Sequence, residues 1–188
     1  MIDATGGPAQ PHMMVTIAET KIAGIERYSK GRVPNGARVV DGRGKFLIPG
    51  LWDMRAHWND ERYLPLFTAN GVTGIRLMWG YDEHQQWRKR MKDGALVGPR
   101  LSIASPIIDG ANPVFKGFVA VGSASEAREA VRKSRRGGAD FIRIYSMLSR
   151  EAYFAIADES RKEAVPFAGH VPIAISLTEA SDAGAAQR

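Results

Sequence analysis

From Leu51 onward, short strand-like runs alternate with longer helix-like runs, and this alternation restricts the fold more than any other feature. The strand-like runs are residues 51–57, 72–79, 100–105, 140–145 and 166–171; the helix-like runs lie near 60–70, 82–93, 125–136, 149–164 and 177–186. Such an order demands βαβ units, a parallel sheet and helices packed against it. Helix punctuation agrees with this reading. Ser123 with Glu126, and Ser176 with Glu179, have capping-box spacing, in which each side chain satisfies an orphan donor of the first turn. Gly71, Gly94 and Gly137 follow the expected helix ends, where a left-handed residue is favoured.

The first 50 residues read differently. Residues 13–17 and 21–25 are two short strands joined by a polar turn, and residues 27–37 form a polar connection rich in Gly, Pro, Ser and Asn. Val39-Val40 and Phe46-Leu47-Ile48 flank a turn at residues 41–45. The expected division is therefore a small β unit over 1–50 and an alternating α/β unit over 51–188.

Composition narrows the function classes. A chain of 188 residues with 44% hydrophobic residues has enough apolar side chain for one or two packed domains, not for a disordered one. With no Cys there are no disulfides, thiolate nucleophiles or Cys-type zinc sites. No run approaches the ~18 apolar residues that cross a bilayer, and no signal pattern opens the chain, so a cytoplasmic, membrane-free protein is expected. The formal charge of +6 permits an acidic partner. Its clusters, Arg88-Lys89-Arg90 with Lys92 and Arg132-Lys133 with Arg135-Arg136, fall on expected helices and read as solvated faces. No aromatic stacking motif accompanies them, so nucleic acid is not the expected partner.

Strand parity concentrates the chemistry. Along 51–57, Trp52, Met54 and Ala56 share one face while Asp53, Arg55 and His57 share the other. Arg76 opposes Ile75, Leu77 and Trp79; Arg143 opposes Ile142 and Ile144. Helices must cover the apolar faces, which leaves the polar ones directed into a barrel or toward the mouth of the sheet. Two readings follow: a site, or a structural salt-bridge cluster around Asp53. Asp109, in the long connection 106–122, fits either a ligand contact or an ordinary turn beside Gly110. His12 and His84 are expected to be solvated. There is no Ser nucleophile elbow, no GxGxxG and no phosphate loop.

Several segments resemble one family in the right order. Residues 46–57, with Pro49-Gly50-Leu51-Trp52-Asp53-Met54-Arg55-Ala56-His57, are similar to the first barrel strand of the amidohydrolase superfamily, usually "PGLxDxHxH". Gly71-Val72-Thr73 with Arg76 resembles the second strand, Gly98-Pro99-Arg100 the entry to the third, residues 138–145 the fourth ("GADxIKxY"), and Gly169-His170-Val171-Pro172 the fifth. Residues 179–184 resemble the helix before the sixth. The resemblance is to the N-terminal portion, in the imidazolonepropionase/prolidase-like branch of metal-dependent hydrolases. It implies a TIM-type barrel flanked by a β-sandwich split between the chain termini. It also implies hydrolysis of C–N bonds in amides or cyclic amides by a hydroxide on a divalent metal, typically zinc. In the family the ligands are a His pair, a carbamylated Lys, later His residues and an Asp.

Three departures shape the expectation. The leading His of the pair is Arg55, whose guanidinium has no lone pair to donate. Arg143 stands where the Lys would be carbamylated, and the sequence ends before the sixth strand. Of the family ligands only His57 and His170 are present, either as the remnant of a metal site or as two polar interior histidines. Beside two fixed cations they are expected to hold zinc weakly or not at all, and no catalytic residue is assigned. The expected fold is α/β: an incomplete TIM-type barrel of about five βα units, an open parallel sheet with two free edges, after a partial β-sandwich. Free edges imply self-association or a completing chain. Function is expected to be that of a truncated, inactive amidohydrolase. One alternative is an anion-binding protein using Arg55, Arg76 and Arg143 for a small anion or amide; the other is a decayed gene product without function.

Overall fold

The computed structural model describes residues 1–185, and the chain divides into two compact units, Met1–Gly50 and Leu51–Arg188. In the first, β1 (Met13–Ala18) and β2 (Lys21–Arg27) form an antiparallel hairpin whose register slips between Thr16 and Ile17. Glu19, with φ of +55°, makes the tight turn between them. The Ile2 amide donates to the Leu47 carbonyl over 2.9 Å. No residue of this unit is buried. Residues 39–40 and 46–48, on either side of the turn at 41–45, form no strand, and their apolar side chains are exposed. A β-prone run becomes a strand only where a neighbour accepts its ladder, and within this unit the one ladder is β1 with β2.

The second unit opens with β3 (Leu51–Ala56), followed by α1 (Leu64–Ala69), β4 (Val72–Leu77), α2 (Asp82–Lys92) and β5 (Arg100–Ile103). Then come β6 (Ile108–Gly110), β7 (Val119–Val121), α3 (Ala124–Arg136), β8 (Ile142–Ile144), α4 (Arg150–Lys162), β9 (Phe167–Gly169) and α5 (Leu177–Asp182). Every strand pair in this unit is parallel, in the orders β3-β4-β5 and β7-β6-β8-β9. The two sheets meet at a parallel bridge between Ala104 and Phe141, with Ser105 N–H donating to Phe141 O and Asp140 N–H to Ile103 O, each over 2.8 Å. The path of β5 therefore runs past Pro106, which has no N–H to donate, and resumes as β6 beside β8.

Two of these strands correct the sequence reading. The connection 106–122 is not a plain loop, since it carries β6 and β7, each only three residues long. Runs this short carry no period of their own; parallel pairing to β8, with Ile108 opposite Ile144, makes them strands. The helix expected to reach residue 186 is described only as Leu177–Asp182, and residue 186 lies outside the described residues.

Helices cover the sheets on apolar faces. Ala127 and Val131 of α3, and Tyr153 and Ile156 of α4, pack on Ile108, Ile142, Ile144 and Phe167. Leu64 of α1 and Trp87 of α2 pack on Ile75, Leu77 and Leu101. Burying each such side chain contributes roughly 1.5–3 kcal/mol. Ser123, Ser149 and Ser176 cap α3, α4 and α5 by accepting the backbone N–H three residues on. Gly71 and Gly94 take positive φ at their helix ends; after α3 that conformation falls on Gly138, one residue later than expected. Parts of the basic clusters are ion-paired, Arg88 with Asp140 and Arg132 with Glu129 and Glu159. Among the described residues no helix is long and apolar enough to cross a membrane.

His84 contradicts its expected solvation. It is fully buried, with Nε2 2.7 Å from the Trp58 carbonyl and Nδ1 3.3 Å from the Tyr81 amide. A carbonyl accepts and an amide donates, so the ring carries its proton on Nε2 and is neutral. Burial lowers its pKa, partly opposed by the Trp58 carbonyl. The sequence held the signal: His84, Trp87 and Met91 recur at helical spacing, so His84 belongs to the inward stripe of α2.

Candidate functional site at the carboxyl ends of the strands

The polar residues singled out by parity lie on β3, β4 and β8 or just beyond β3, and His170, singled out by the resemblance, just beyond β9. Arg55 and His57 are both exposed. Asp53 accepts the Arg55 backbone N–H over 3.0 Å. Arg76, between the buried Ile75 and Leu77, lays its guanidinium over the Phe141 ring at 4.4 Å. Burial lowers its pKa.

Arg143 is the most enclosed of the set, at 1% exposure. Its backbone N–H donates to Ser105 Oγ over 2.9 Å, and that hydroxyl donates to the Pro106 carbonyl over 2.6 Å. Its Nε is buried without a hydrogen-bond partner. Among the described residues no carboxylate ion-pairs with its guanidinium. Burial chiefly, and then the charge of Arg55, pull its pKa down to about 10, so it stays protonated at neutral pH.

His170 follows β9. Its ring stacks on Tyr145 with centroids 4.0 Å apart, and its Nδ1 lies 2.9 Å from Ser146 Oγ. The pKa values of His57 and His170 are both lowered, first by burial, then by Arg143, then by Arg55; Asp109 opposes the shift at His170. Each imidazole therefore sits in the field of the same two guanidiniums and is neutral at pH 7. The fold thus brings Arg55, His57, Arg143 and His170 within electrostatic reach, with Arg76 also acting on Arg143.

No family model matches the sequence, and a search of curated proteins finds no match. Solved structures do match. Bottromycin amidohydrolase superposes with a TM-score of 0.73 over 86% of this chain and 35% of its own length, at 23% identity. A. niger ochratoxinase gives 0.70 over 96% and 55%, at 19% identity. A prolidase complexed with N-methylphosphonate-L-proline gives 0.72 over 85% and 51%, at 21% identity. The chain shares the fold of these solved structures. The chain spans between about a third and about half of the length of these structures.

Within this fold the residues present do not fit a divalent metal. Among the described residues no group of three or more His, Cys, Asp or Glu is placed to hold one. His57 and His170 supply two imidazole lone pairs, but two guanidiniums act on them, and neither can donate.

Two features of the fold here escaped the sequence reading. Asp109, expected either to touch a ligand or to sit in an ordinary turn beside Gly110, lies in β6. It is fully buried and accepts the Val114 amide over 3.0 Å and the Met147 amide over 2.6 Å, tying the segment after β6 to the segment after β8. The second is a run of rings at the strand ends. Tyr81 stacks on Trp79 at 5.4 Å, Trp79 meets Phe118 at 5.1 Å, and Phe118 meets Tyr145 at 5.1 Å, with Phe115 alongside at 5.5 Å from Phe118. An available signal was position: Trp79 and Tyr145 end the strand-like runs 72–79 and 140–145, and ligands of parallel α/β sheets bind beyond the carboxyl ends of the strands.

Proposed function

We propose that the chain supplies substrate-facing strand ends of a hydrolase of C–N bonds, and that by itself it performs no metal-dependent hydrolysis. The observation that supports the reading is the shared fold with bottromycin amidohydrolase, ochratoxinase and a prolidase, with Arg55, His57, Arg143 and His170 gathered where its parallel strands end. His57 and His170 are the candidate remnants of a metal site. Arg55 and Arg143 oppose a divalent cation there by Coulomb repulsion, which is least screened around the buried Arg143.

The test is metal content and activity measured together. The purified chain is assayed for bound zinc by mass spectrometry and for release of amine from a panel of N-acyl amino acids, dipeptides and cyclic amides. Zinc below one-tenth stoichiometry and no amine release are expected. Replacing both guanidiniums in R55H/R143K is expected to raise zinc occupancy, because an imidazole brings a lone pair and a lysine amine, unlike a guanidinium, can be deprotonated and react. Tightly held stoichiometric zinc in the unaltered chain, with amide hydrolysis lost on chelation, would defeat the proposal.

A further inference from the structure

A guanidinium at 1% exposure, with a buried Nε lacking any partner and no carboxylate paired to it among the described residues, is an incomplete arrangement. Burying a charge without its counter-charge is costly, and the neighbours compound the cost here. Arg55 and Arg76 add like charge, and the nearby His57 and His170 supply none of the opposite sign. Among the described residues no negatively charged acceptor is paired with this guanidinium, and the Asp109 carboxylate that acts on His170 is taken up by the Val114 and Met147 amides. The guanidinium edge is a planar fork of N–H donors, which a carboxylate matches with two parallel hydrogen bonds.

A second observation indicates what the anion is attached to. The Arg143 guanidinium lies 5.9 Å from the Tyr145 ring centroid, and from Tyr145 the rings continue without a break through Phe118 to Trp79 and Tyr81. Phe115 stands beside both Phe118 and Tyr145 and is 54% exposed. Aromatic side chains next to a fixed polar group are the usual lining of a site for an organic ligand with one charged end. Inorganic phosphate has no use for such a surface.

We propose that the mouth binds a carboxylate carrying a flat apolar group, with the carboxylate on the Arg143 guanidinium between His57 and His170 and the apolar group against Tyr145, Phe118 and Phe115. An anion thus takes the place where the fold family holds a cation. The inference rests on reading the strand ends as the substrate site, not on hydrolysis. Because Arg143 is so enclosed, side chains at the mouth give way as the ligand enters, and exposed Arg55 and His57 are the neighbours free to do so.

Thermal unfolding of the full chain tests it, with benzoate, acetate and inorganic phosphate as probes. A ligand that binds only the folded state raises the melting temperature saturably with concentration. Benzoate is expected to do so in the millimolar range, with acetate and phosphate at least fivefold weaker. R143M is expected to melt no lower than the unaltered chain, because an apolar side chain of similar volume replaces an unpaired buried charge, and to lose the benzoate response. R143K, which keeps the charge but not the fork, should weaken benzoate at least tenfold and serves if R143M fails to fold. F115A, at an exposed ring, should bring benzoate down to the level of acetate. No saturable response to benzoate, an undiminished response in R143M or R143K, or phosphate binding ahead of benzoate would each overturn the proposal. Benzoate binding without any amide hydrolysis supports it whatever becomes of the hydrolase reading; hydrolysis without benzoate binding defeats it alone.

Discussion

Gly169 and Arg143 occupy adjacent parallel strands at a separation that leaves no room for a β-carbon. A Cβ on Gly169 would stand 2.7 Å from Arg143 Nη1 and 2.1 Å from the Ile144 carbonyl oxygen. The Arg143 side chain has shape freedom; the Ile144 carbonyl, part of the β8–β9 pairing, has none. The absence of a side chain at 169 is thus what lets β9 lie against β8 with the guanidinium beside it.

G169A is accordingly expected to destabilise the chain by about 1–3 kcal/mol or more, the usual cost of overpacking a filled interior. A lowered midpoint in urea, at an unchanged slope, is the expected reading. An unchanged midpoint would mean that β9 shifts freely, and the close approach would then have no structural weight.

Asp109 accepts two backbone amides from separate segments, those of Val114 and Met147. Removing the carboxylate in D109A deprives both part-buried amides of this acceptor, at about 1 kcal/mol each. D109N keeps one acceptor oxygen and should cost about half as much. Amide hydrogen exchange is the discriminating measurement: protection should fall first at Val114 and Met147. Uniform loss of protection across the sheet would instead assign Asp109 to global stability.

His84 satisfies the Trp58 carbonyl and the Tyr81 amide from the buried face of α2. H84A removes both partners and opens a cavity, for an expected loss of about 2–4 kcal/mol. H84Q, which offers a donor and an acceptor, should recover part of it. Equal stability of the alanine variant and the unaltered chain would show the hydrogen bonds to be dispensable.

Stability should also fall on acidification. His57, His84 and His170 all have folded pKa values below the ordinary 6.5. The unfolded chain therefore binds protons more readily than the folded one as pH drops through 6.5, and stability is lost from there down to the folded pKa values. Melting temperature is expected to decline between pH 7 and pH 5. The imidazole resonances of His57 and His170, followed by NMR, should titrate below 6.5, and R143M should move both upward by removing a nearby cation. Titration at or above 6.5 in the folded chain would contradict the cationic surroundings.

The local pattern determined a good deal. Alternating runs specified parallel strands covered by helices, and period-two spacing put Arg55 with His57 on one face and Arg143 opposite Ile142 and Ile144, because side-chain direction along a strand needs no tertiary information. Resemblance in motif order pointed to the amidohydrolase fold that the solved structures share. Tertiary structure alone decided the rest. Strands β6 and β7 exist because β8 supplies a partner for runs too short to carry a period. Asp109 became a link between two segments because residues 38 apart in sequence came within hydrogen-bond distance. The incomplete charge of Arg143 also arose in three dimensions: a residue's type is written in the chain, but whether a counter-ion reaches it depends on which distant side chains the packing brings near.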